Sequence, residues 1–181
     1  MKRFVVLLAA CGGGGDSPSP DAPSVADASP DAATFATCTG ACRTTTLTAA
    51  FTTSRGLDRA YYGVTMTPLS LHVEAYKNAP TGCPTQTSPS PDYTLILGRV
   101  PVPADATPST SPGNILDLKG DLLGGGAIGA QATMVTITPV AADRVMAADG
   151  FVALDVMMTF PAGTVMGHLF ATHCASMDAA N

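Results

Sequence analysis

The stretch LSLHVEAYK alternates cleanly. Leu69, Leu71, Val73 and Ala75 fall on one side, and Ser70, His72, Glu74 and Tyr76 on the other. A period of two is the mark of a half-buried strand, because successive side chains leave opposite faces of a sheet. TTTLTAAFT repeats the pattern, with Leu47, Ala49 and Phe51 opposed to Thr46, Thr48 and Ala50. RAYYGVTM and YTLILGRV are further strand runs, the latter nearly continuous in apolar residues around Ile96 and Leu97. ILDLKGDLL is a weaker run, and ATMVTITPV sets Met134 and Thr136 against Val135 and Ile137. FVALDVMMTF and TVMGHLFATHC are separated by Pro161-Ala162-Gly163, which predicts a hairpin. No segment sustains a 3.6-residue period, although 141–148 has the composition for a short helical turn. About eight short strands predict an all-β domain, an antiparallel β-sandwich or a partly closed barrel. Two proline-rich loops interrupt the strands, Asn78 to Asp92 and Pro101 to Asn114.

The pattern is absent from the first part of the chain. Lys2 and Arg3 precede Phe4-Val5-Val6-Leu7-Leu8-Ala9-Ala10, a basic segment and then a short apolar one. This is the layout of an export signal. It is far too short for a spanning helix, which needs about 20 apolar residues. From Gly12 to Thr37 the chain is almost entirely Gly, Ser, Pro, Asp and Ala. Asp16, Asp21, Asp27 and Asp31 have no basic partner there. Such a segment buries too little apolar area to offset chain entropy and is expected to be a disordered spacer, spanning roughly 30 Å as a coil. The chain thus divides into a signal peptide at 1–10, a linker at 11–37, a β domain at 38–175 and a flexible tail at 176–181.

Leu8-Ala9-Ala10-Cys11 resembles the lipobox of bacterial lipoproteins. The resemblance covers only the first eleven residues. It implies diacylation of the Cys11 thiol, cleavage before Cys11 and acylation of the new amino terminus. Two or more acyl chains make membrane attachment stable, at about 0.8 kcal/mol per buried methylene. Gly12 rather than Asp follows the cysteine, which in that family favours sorting to the outer membrane. The stretches GLDRAYYGVTM, SPSPDYTLILGRVP and SPGNILDLKGDLLGG resemble domains of uncharacterised bacterial envelope lipoproteins, a likeness that implies no activity.

Five cysteines become four once Cys11 is assigned to lipid. Cys38, Cys42, Cys83 and Cys174 are an even set in an exported domain, which argues for disulfides. Three connectivities are possible. The favoured one closes the CTGAC loop as Cys38–Cys42 and ties the long loop to the last strand as Cys83–Cys174. The alternative joins Cys38 or Cys42 to Cys174. Zinc held by Cys38, Cys42, His173 and Cys174 is disfavoured by oxidising surroundings.

Charge narrows the partners. Without Lys2 and Arg3, seven basic residues face fourteen acidic ones, and no Arg/Lys cluster exists. Nucleic acid is therefore not an expected partner. Candidate chemistry is sparse. His72 and Glu74 share one side of a strand and form a possible acid–base pair, with a solvated ion pair as the ordinary alternative. His168 and His173 are five apart, so a strand turns them to opposite faces and they share no metal. Gly124 to Gly129 has the spacing G-x-G-x-x-G but lacks the strand before and helix after that a dinucleotide site needs. Asp117 and Asp121 beside it lack the spacing of a calcium-hand loop. No G-x-S-x-G, H-E-x-x-H or S-x-x-K occurs.

The expectation is a membrane-anchored, exported, non-catalytic β-domain. It would serve the cell envelope by binding or supporting an envelope protein or glycan, with no cofactor and no metal. The alternative is an envelope hydrolase using His72 and Glu74 or the loop aspartates.

Overall fold

The computed structural model describes residues 35–179. The expected signal segment, Cys11 and the linker as far as residue 34 lie outside the described residues, as do 180 and 181. The described chain is all-β, and its ten strands belong to one hydrogen-bonded sheet. They are β1 (Leu47–Ala50), β2 (Ser54–Leu57), β3 (Arg59–Met66), β4 (Leu69–Lys77) and β5 (Tyr93–Val100), then β6 (Gly113–Asp117), β7 (Gly129–Gln131), β8 (Met134–Asp143), β9 (Phe151–Phe160) and β10 (Gly163–His173). All the runs read from the sequence are present, and β2 and β7 are additional.

The main path runs β8-β9-β10-β3-β4-β5-β6-β7 and curls into a half-barrel. Every strand pair in the sheet is antiparallel except β10 with β3, so the sheet is mixed. The long strand β10 makes this possible. It pairs with β9 along its whole length. On its other edge it meets β1 near Val165 and then β3 near Thr172. The β1–β2 ribbon therefore lies beside the half-barrel, continuing the edge that β3 begins. Partial closure comes from Ser109, in the β5–β6 loop, whose N–H and C=O both bond Ile137 on the outer edge of β8.

The concave side of the curl is the core. Leu47, Tyr62, Leu71, Leu95, Leu97, Ile115, Ile137, Leu154, Met158 and Leu169 are all buried there. Leu71, Val73 and Ala75 of β4 are fully buried, as its alternation predicts, whereas Leu69 at the start of the strand is exposed and Ser70 is buried. Gly113 marks how tightly the curl closes. A Cβ there would lie 2.4 Å from the Met158 methyl on β9. A side chain there would push the Met158 methyl aside and crowd Val135 and Leu97.

Both disulfides lie on the outer side of the sheet, and they follow the favoured pairing: Cys38–Cys42 and Cys83–Cys174. Each clamps a small apolar cluster that the main core does not reach. Cys38 and Cys42 cover Phe151, Ala153 and Phe170. Arg43 extends that cover, its guanidinium 5.4 Å and 5.1 Å from the centroids of Phe151 and Phe170. Cys174 packs with Tyr61 and Tyr76.

Three local expectations are modified. Strand β8 runs on to Asp143, and 144–150 form two successive turns, closed by Ala147 N–H to Arg144 O and Gly150 N–H to Ala147 O, in place of a helical turn. The ILDLKGDLL run stops at Asp117 because that side chain bends back to hold the following loop. Pairing also extends past both limits of the 38–175 domain. Phe35 bridges Ala142, and Ala179 bridges Thr65. Residues 176–179 of the expected tail are thus pinned to β3. Met177 crosses Gly63 so closely that a Cβ on the glycine would lie 2.2 Å from its carbonyl oxygen.

Candidate functional site

The outer side of β4 carries the best-formed polar constellation. His72 Nε2 lies 2.6 Å from Glu74 Oε1. The other carboxylate oxygen accepts a hydrogen bond from the Tyr76 hydroxyl. Alternation along a single strand brings these three side chains together, and the sequence already places all three on that side. Burial pushes the Glu74 carboxyl up, but hydrogen bonds from His72 and Tyr76, with the charge of His72, outweigh it and hold it below its ordinary range. Burial raises the Tyr76 phenol, and the Glu74 carboxylate beside it raises it further. The ensemble is therefore an ionised carboxylate held by two donors. Both Glu74 oxygens are engaged.

A groove lies alongside. Glu74 is opposite Ile96 on β5, Ile96 is opposite Asn114 on β6, and Asn114 is opposite Gln131 on β7. This row crosses the outer side of the sheet. Gly98 leaves it without a side chain next to the row, and a Cβ there would meet nothing within 4 Å. The result is an open groove of about 440 Å³ lined by Ile96, Gly98, Asn114, Leu116 and Gln131. Asn114 and Gln131 offer amide donors and acceptors, and Glu74 stands at the β4 end of the row. Nothing in the sequence pattern points to this groove, because its residues come from three strands whose order is set only by the folded sheet.

The loop aspartates do structural work. Asp117 is buried, and it accepts backbone N–H bonds from Gly120 at 2.6 Å, Leu122 at 2.8 Å and Leu123 at 2.9 Å. Asp121 faces the other way. It accepts from the Tyr93 hydroxyl and pairs with Arg55 Nη2 at 3.1 Å, while Arg55 Nε also donates to the Tyr93 oxygen. The Tyr93 bond is the strongest influence holding the Asp121 carboxyl below its ordinary value, and Arg55 adds to it against a cost of burial. The two carboxylates are thus committed to different partners and do not converge on a shared site.

The other two histidines are separated as the strand period requires. His168 lies on the outer side, with Nδ1 2.8 Å from Asp155 Oδ1 and Nε2 2.8 Å from the Cys42 carbonyl. His173 stacks on Tyr62 at 5.3 Å between ring centroids and bonds Ala147 O and Asp178 Oδ1. Each histidine anchors a flanking segment, the 38–42 loop or the C-terminal turn. The glycine loop at 124–129 leads into β7 and not a helix, and Gly124, Gly125 and Gly126 all have positive φ. Among the described residues, no group of three or more His, Cys, Asp or Glu converges to hold a metal.

No protein-family model, no curated protein and no solved structure matches the chain.

Proposed function

We propose that the chain is a lipid-anchored, exported β-domain with a binding or structural role in the cell envelope. The observation that carries the reading is the cysteine inventory. Four of five cysteines are consumed by two disulfides, and the one left over, Cys11, stands at the end of the lipobox-like segment. Paired thiols fit an oxidising compartment outside the cytoplasm. The linker then serves as a spacer that holds the domain clear of the membrane, with the outer membrane as the favoured site. The groove beside Glu74 supports a binding role, since its Asn114 and Gln131 amides suit the hydroxyls of a glycan or the backbone of an envelope protein. Engagement of both Glu74 oxygens argues against its use as a general base.

Cell fractionation tests the anchor. Cys11→Ser should move the protein from the membrane pellet to the soluble fraction. Retention in the pellet after that change would overturn the reading. The hydrolase alternative makes the opposite demand on β4: His72→Asn would abolish an envelope hydrolytic activity without altering the melting temperature.

A further inference from the structure

The outer side of β8, β9 and β10 has two ends of different character. One end is aromatic and covered, where Phe151 and Phe170 lie beneath the Cys38–Cys42 loop. The other end is bare and carries methionine. Met134, Met157 and Met166 are 52%, 48% and 50% exposed, which is unusual for long apolar side chains on three adjacent strands. Met157 and Met166 are direct cross-strand partners. Met134 is opposite Thr159, and Met157 is opposite Thr136, so Met134 is the diagonal neighbour of Met157. Direct partners have Cβ atoms ~5 Å apart and diagonal ones ~7–8 Å, within reach of side chains of this length. Met157 is therefore central, with one thioether on each side.

Threonines surround the trio. Thr136, Thr159 and Thr48 occupy the neighbouring register positions, and no exposed leucine, isoleucine or phenylalanine lies on these strands. Methionine also serves apolar docking surfaces, but those are enriched in aromatic residues too, and no aromatic is among the exposed large apolar residues of these strands. A soft-metal site uses sulfur by itself, because thioethers prefer soft monovalent ions such as Cu(I). In a protein whose domain thiols are locked in disulfides, methionine is the soft ligand that remains free, since a thioether forms no disulfide. The methionine side chain is also flexible enough to turn its sulfur toward a common point. A groove of about 300 Å³ opens beside Met157, lined also by Thr136, Thr138, Asp155 and His168. His168 is not counted as a ligand, since both of its nitrogens are engaged.

We propose that Met134, Met157 and Met166 form a thioether site for a soft monovalent metal ion of the Cu(I)/Ag(I) class. The test uses the full oxidised chain with ¹³C-methyl-labelled methionine, titrated with Ag(I). At one equivalent the methyl signals of Met134, Met157 and Met166 should move together. Exposed but isolated Met66 and buried Met158 should stay in place. Met157→Leu conserves size on an exposed position and should weaken Ag(I) binding at least ten-fold with an unchanged melting temperature. Met66→Leu should leave binding unchanged. If Met66 shifts in parallel with the trio, if no methyl moves at one equivalent, or if Met157→Leu binds as tightly as the parent, the site does not exist.

Discussion

Replacing Asp117 should unfasten the loop that closes one end of the barrel. The carboxylate is 1% exposed, and its two oxygens satisfy three backbone donors. Leu122, which it positions, is fully buried, and the Leu122 carbonyl accepts bonds from both the N–H and the hydroxyl of Thr52 in the β1–β2 turn. In Asp117→Ala all three donors lose their acceptor. An unmade bond at a buried donor costs ~1–3 kcal/mol, and water reaches the Gly120 and Leu123 donors in part, so the total loss should be about 3–5 kcal/mol. Asp117→Asn keeps one oxygen for the Leu122 and Leu123 donors but turns an amide N–H₂ toward Gly120 N–H. Its loss should be about 1.5–3 kcal/mol. Urea unfolding of the oxidised chain, followed by tyrosine fluorescence because tryptophan is absent, measures both. The acid limb carries a second signature. Burial pushes the Asp117 carboxyl up, but the backbone N–H groups outweigh it and hold it below 3.8. A carboxyl depressed on folding stabilises the fold above its unfolded pKa of ~3.9, and that stability fades as pH falls through the folded value. Asp117→Asn should lack this component. A loss under ~1 kcal/mol in Asp117→Ala would refute the account of the loop.

Other consequences follow from the same contacts. Removing the Cys83–Cys174 bridge as Cys83→Ser/Cys174→Ser frees a separation of 91 residues and should cost about 4.5 kcal/mol, against about 2 kcal/mol for the Cys38–Cys42 bridge with its separation of 4, both read from urea midpoints. Gly63→Ala places a Cβ 2.2 Å from the Met177 carbonyl oxygen. It should lift the C-terminal turn off β3, cost about 1–3 kcal/mol and speed carboxypeptidase trimming past Asp178. Glu74 is likewise depressed on folding, so its contribution is present above its unfolded pKa and lost as pH falls through the folded one. Glu74→Gln should therefore flatten the acid limb of the stability profile, and an unchanged limb would contradict the His72–Glu74–Tyr76 geometry.

Sequence alone makes legible the strands whose own residues carry a pattern, alternating in β4 or nearly continuously apolar in β5. In β4 the alternation gives the buried Leu71, Val73 and Ala75 and the His72–Glu74–Tyr76 row, but not the exposure of Leu69 or the burial of Ser70 and Tyr76, which depend on what packs over each position. β2 and β7 escape notice for the opposite reason. SRGL and GAQ are short and contain glycine, and they become strands only because β1 and β6 offer them an edge. The parallel pairing of β10 with β3 is also invisible in the sequence. Alternation says which way a side chain points and nothing about which strand lies alongside. The groove at Asn114 and Gln131 depends on that strand order, so it could not be anticipated. Asp117 and Asp121 stand out as loop carboxylates near glycines, but their roles depend on where backbone donors and Arg55 come to rest. The disulfide pairing was accessible because loop length and an even cysteine count leave few arrangements.

The intact mass of native protein extracted in detergent, taken before and after reduction with alkylation, tests the central claim most directly. The account predicts a chain that begins at Cys11 and carries three acyl chains, with four further cysteines that alkylate only after reduction. An unlipidated chain, or one with thiols that alkylate before reduction, would contradict it.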